Sequence, residues 1–135
     1  MSATQAVEYR MYLDYVILHP TLDPAEITRN MGCAPSKAIS RGTPRGHAKV
    51  PAKYNVWSLR SQLSEENADV GGLWLELSSL LMPKVDYLRD LQGPEKSLYV
   101  VVHMITNLPT LVLPIGMSEF SARSRSEIVI EPYTP

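Results

Sequence analysis

The chain has 135 residues, 44% of them hydrophobic and 20% charged, with a net charge of −1. That length supports a single domain over residues 1–135, burying about 68–70% of its unfolded surface without a metal or disulfide staple. A near-neutral balance argues against a global field that would draw it onto nucleic acid or an anionic membrane. Cys33 is the only cysteine, which rules out an internal disulfide and fits a reducing, cytoplasmic setting.

The N-terminal stretch carries Glu8 and Asp14 and no long apolar core, so it does not read as a signal peptide. The longest wholly apolar run, Leu111 to Ile115, falls far short of the ~20 residues a membrane helix needs. From Val7 to Ile17, apolar residues alternate with Glu8, Arg10, Tyr12 and Asp14, the period of a strand with one buried face.

Asp23 then offers an N-cap, Pro24 a first helical residue, Glu26 a capping-box partner and Gly32 a left-handed stop. A helix from Pro24 to about Met31 is expected. Residues 33 to 53 show neither period, and five prolines and glycines interrupt them: Pro35, Gly42, Pro44, Gly46 and Pro51. Tyr54 to Ser61 reads as a strand with Trp57 and Leu59 turned inward.

Gly72 to Gly93 is the stretch on which the rest packs. Leu73, Leu77, Leu80, Leu81, Val85, Leu88 and Leu91 recur at steps of three and four along one helical face. Pro83 should split this helix, because it lacks an N–H and clashes with the preceding turn. Leu98 to Ile105 reads as an interior strand, and Leu111 to Met117 as its hairpin partner, with Pro114 marking an edge or bulge. A short helix capped by Ser118 and a last strand, Ile128 to Glu131, complete the chain, with Pro132 and Pro135 stopping further pairing.

The expected fold is α+β: a mostly antiparallel sheet of about five strands with helices on one face, in the order β-α-β-α-β-β-α-β.

No group of residues carries a recognisable chemistry. Cys33 follows a helix C-terminus, where the dipole's negative end disfavours a thiolate, and nothing fixes His47 beside it as a base. His19, His47 and His103 share no metal-ligand spacing, and His103 reads as a core or face histidine. Asp86 and Asp90 read as a solvated face with Lys84 and Arg89. Gly42 to Lys49 lacks the pattern of a phosphate loop.

The one stretch with functional content is basic. Lys37, Arg41, Arg45, Lys49 and Lys53 fall together, with His47 among them, and no acid intervenes between Glu26 and Glu65. A local positive patch in a neutral protein suits an acidic protein face, or failing that a small anion or nucleotide. Stacking aromatics are missing until Tyr54 and Trp57, which argues against nucleic acid.

The chain resembles an uncharacterised bacterial family, domain of unknown function 4279. The resemblance is carried by the early alternating strand, Leu22-Asp23-Pro24-Ala25-Glu26-Ile27, and Met31-Gly32 with Pro35. It continues through Gly42, Trp57-Ser58-Leu59, the leucine-rich helix pair and Ile130-Glu131-Pro132-Tyr133. Pro132 departs from the family pattern, which favours a β-branched residue there.

The resemblance implies an α+β domain of bacterial origin and brings no catalytic residues or cofactor. Small α+β proteins of this kind are often encoded beside secreted toxins as their immunity partners. The expectation is therefore a non-enzymatic protein-binding domain, an immunity protein with a cognate toxin as partner. The alternative is a regulatory domain that binds a small anion or nucleotide through the loop over residues 37–53.

Overall fold

The computed structural model describes residues 5–45 and 50–135, without the side chains of residues 45, 50 and 51. The alternation of the first segment becomes strand β1, Tyr9–His19, with Met11, Leu13, Tyr15 and Ile17 at most 1% exposed. Helix α1, Pro24–Met31, follows as its signals require: Asp23 accepts from the Ala25 amide and Gly32 closes the helix at φ 70°. The reciprocal half of the capping box is not made, because the Glu26 carboxylate pairs with Arg29 at 3.1 Å instead.

The aperiodic stretch forms three short strands: β2, Lys37–Ile39; β3, Pro44–Arg45; and β4, Val50–Pro51. β3 and β4 pair only with each other, whereas β2 adds to the main sheet through β5, Asn55–Arg60.

Asp69 caps helix α2, Val70–Leu81, by accepting from the Gly72 amide at 2.7 Å. Pro83 breaks the long helix as expected: a 3-10 turn, Met82–Lys84, separates α2 from α3, Val85–Asp90. Leu73, Leu77, Leu81, Val85 and Leu88 are buried, but Leu80 is 39% exposed and lies off the packing face.

Strand β6, Glu95–Met104, lies beside β1, and helix α4, Ile115–Ser124, leads into the last strand β7, Glu127–Tyr133. The five-stranded sheet runs β2-β5-β1-β6-β7. Its pairs are antiparallel except β6–β7, which is parallel and is joined by the crossover through α4 that a parallel pair needs.

Two expectations near the C-terminus need correction. Leu111 to Met117 is not a strand; residues 107–114 make no ladder, and α4 begins at Ile115, ahead of the expected Ser118 cap. The Pro114 carbonyl accepts from the Met117 and Ser118 amides, which starts the helix without a side-chain cap. The last strand also runs past Pro132, which registers with Val102 on an outer strand where a missing N–H is tolerated.

The core lies between the helices and one face of the sheet. Trp57, Tyr15, Phe120, Leu77 and Leu98 are fully buried there, and the Trp57 indole donates to the Thr28 hydroxyl at 3.0 Å. Two polar side chains that enter this layer find partners, whereas the buried Tyr87 hydroxyl has none among the described residues. The Lys96 ammonium donates to the carbonyls of Leu88 and Ser124, at 2.5 and 2.6 Å, and so ties the ends of α3 and α4 to β6. His19 accepts at Nδ1 from the Thr21 and Leu22 amides, which leaves its Nε2–H to donate to the Gln92 carbonyl at 2.7 Å.

Candidate functional site

The period of two that sends Leu13, Tyr15 and Ile17 into the core sends Tyr12, Asp14, Val16 and Leu18 to the opposite face of the sheet. The register brings Lys37, Val56, Ser58 and Arg60 to that face from β2 and β5. Tyr99, Val101 and His103 come from β6, and Glu131 and Tyr133 from β7. All of them except Arg60 and His103 line a concavity of about 520 Å³.

A row of planar groups crosses this face from strand to strand. The Arg60 guanidinium sits 4.0 Å from the centre of the Tyr12 ring. Tyr12 stacks towards His103 at 6.1 Å, and His103 stacks on Tyr133 at 4.9 Å. The Tyr133 hydroxyl donates to the Glu131 carboxylate at 3.0 Å, and this bond holds the phenol proton and raises its pKa.

Asp14 is the polar centre of the concavity. One of its carboxylate oxygens meets Arg60 at 3.4 Å, while the other is buried without a hydrogen-bond partner among the described residues. Burial pushes this carboxyl above its ordinary range, and the nearby Arg60 and Lys37 charges only partly restore it. Charge is divided across the face: Lys37 and Arg60 stand on the β2–β5 side, Glu131 on the β7 side.

Three side chains of the basic stretch singled out in the sequence lie among the described residues: Lys37, Arg41 and Lys53. Lys37 is exposed on β2 at the rim of the concavity. Arg41 turns to the Pro20 carbonyl at 3.3 Å, and its amide donates to buried Asn55. Lys53 is exposed on the approach to β5. His47 and Lys49 lie outside the described residues, as does the side chain of Arg45.

Of the residues that make the concavity, only Lys37 was marked by sequence reasoning. Tyr12 and Asp14 were visible as the polar face of an alternating strand. Their meeting with Arg60, Tyr99 and Glu131 depends on a strand order that local sequence does not encode.

Cys33 is half-buried; burial pushes its thiol up, and the Lys84 ammonium offsets part of this. Among the described residues no three His, Cys, Asp or Glu side chains gather into a metal-binding group. Asp86 and Asp90 both pair with Arg89 on the solvent side of α3, at 3.2 and 2.9 Å. Among the described residues no helix is long and apolar enough to cross a membrane.

A helix-backed, mostly antiparallel sheet, with one face that no described helix covers, defines an α+β domain. The chain matches the family described as Domain of unknown function (DUF4279) over residues 8–134, and it belongs to that family. No curated protein and no solved structure matches it.

Proposed function

We propose that the chain is a protein-binding domain that acts by contact rather than by catalysis, with the open face of its sheet as the docking surface. In its finer form it is a cytoplasmic immunity protein that neutralises a bacterial toxin by direct binding. The observation that supports this reading is the concavity over Tyr12, Asp14, Tyr99, Glu131 and Tyr133, which no helix covers among the described residues. Tyrosine brings a large apolar body and a polar tip to a surface, and is enriched where proteins meet. Separated positive and negative rims set the orientation of a partner and disfavour wrong ones.

The test is affinity capture from the native host, followed by hydroxyl-radical footprinting of the complex. Tyr12, Tyr99 and Tyr133 should become protected. Lys37→Glu and Tyr133→Ala, both at exposed positions, should each weaken the complex about tenfold, equivalent to ~1.4 kcal/mol, and leave the melting temperature unchanged. Recovery of no specific protein, or protection of another surface with this face left open, overturns the reading.

A further inference from the structure

β7 ends the sheet, and among the described residues its outer edge pairs with no other strand. It is seven residues long, against three for β2 at the opposite edge. Its middle is the uninterrupted apolar run Ile128-Val129-Ile130, and Ile130 is 45% exposed beyond the cover of the helices. Unpaired edges of this length and composition template further strands unless charge or proline guards them.

The guard here is of one sign. Glu127 and Glu131 flank Val129 at equal distance and register with Ser97 and Val101, so both stand on the open face. An antiparallel pairing of β7 with a second copy, centred on Val129, sets each Glu127 opposite the other copy's Glu131, with Cβ atoms about 5 Å apart. The repulsion occurs twice, by symmetry. A register centred on Ile130 avoids it but brings Pro132, which has no N–H, into the ladder.

We propose that the β7 edge is an acceptor site for an extended segment of another protein, one that carries lysine or arginine opposite Glu127 and Glu131 and apolar side chains opposite Ile128 and Ile130. The same two glutamates keep the edge from closing on a second copy of the chain. The inference rests on the protein-binding reading and names the chemistry of the partner: strand addition supplies main-chain hydrogen bonds, and the alternate side chains select by charge. An added strand would also extend the open face past Glu131, placing its basic residues beside the acidic rim of the concavity.

Two measurements test it. In the first, light scattering after size exclusion at low salt should find the wild-type chain monomeric. Glu131→Lys should dimerise, because each Glu127 then meets an introduced lysine. Glu127→Lys with Glu131→Lys should return the chain to a monomer. In the second, a synthetic peptide of residues 127–133 bearing both substitutions is titrated into the wild-type chain by NMR. It should shift the β7 amides saturably, and a peptide of unaltered sequence should bind at least about tenfold more weakly. A wild-type dimer through β7 overturns the proposal, as does a basic peptide that leaves β7 unshifted or binds no better than the acidic one.

The peptide titration needs neither a native partner nor a folded variant, so the two readings fail separately. Capture of a partner with no peptide binding removes the strand-acceptor site alone. Peptide binding with no captured partner removes the open-face docking surface and leaves the β7 edge as an acceptor of basic strands.

Discussion

The two faces of the sheet are made from alternate residues of the same strands, yet they differ in how far their interactions are completed. On the covered face, Tyr15 packs edge-on against Phe120 at 5.4 Å, and its buried hydroxyl meets Ser126 at 2.8 Å. Lys96 reaches two helix ends. On the open face, Asp14 keeps one oxygen unpartnered among the described residues, and Tyr133 and Lys37 are exposed. One face carries the stability of the molecule, and the other is the docking surface we propose. A change of one position along a strand therefore moves a substitution from one class of consequence to the other.

The sharpest way to break this division is to truncate one aromatic on each face. Trp57→Ala removes a fully buried indole and leaves the Thr28 hydroxyl without its donor. It should cost about 3–5 kcal/mol in urea unfolding, whereas Tyr99→Ala, on the open face, should cost less than about 1 kcal/mol. Equal losses would mean that the open face is a second core.

Next in size is Lys96→Met, which keeps the length of the side chain but leaves the Leu88 and Ser124 carbonyls without their donor. A loss of about 2–3 kcal/mol is expected from two stranded acceptors. A neutral result would show that the ammonium is dispensable where α3 and α4 end.

The smallest effect belongs to Asp14→Asn. Burial raises this carboxyl in the folded state, so the folded chain holds its proton more tightly than the unfolded chain does. Asp14 therefore favours folding in acid, and that contribution fades as pH rises through the carboxylate range. The asparagine variant should match or slightly exceed the wild type in melting temperature at about pH 7 and lose that advantage in acid. A variant less stable at neutral pH would show that the Arg60 pair outweighs the burial.

Much of the covered face was legible in the sequence. Asp23, Pro24 and Gly32 bounded α1, Pro83 split the long helix, and the leucine spacing marked the packing stripe, apart from Leu80. These signals are local, set by caps, by a missing N–H and by a repeat.

The strand expected over Leu111 to Met117 was misread for a physical reason. Leu111 and Leu113 do pack against the core while Val112 is 71% exposed, so the alternation is real. It reports which side of an extended chain is buried, not whether the backbone pairs, and Pro109 and Pro114 have no N–H to give a ladder. Conversely, β2 is too short and too exposed to leave a periodic trace. The open face was hardest to read, because Asp14 and Arg60 are brought opposite each other only by the pairing of β1 with β5.

The strand at the middle of the sheet is also the earliest of the described strands in chain order. β1 is flanked by β5 and β6, which are made only after α1 and after the α2–α3 pair respectively. On a growing chain its apolar residues have no neighbour on either side for much of translation. Pairing across such separations is slow, since the entropy of closing the intervening loops is lost before any contact repays it. The sheet around β1 can therefore close only once β6 has been made, and until then β1 carries at least one unpaired edge.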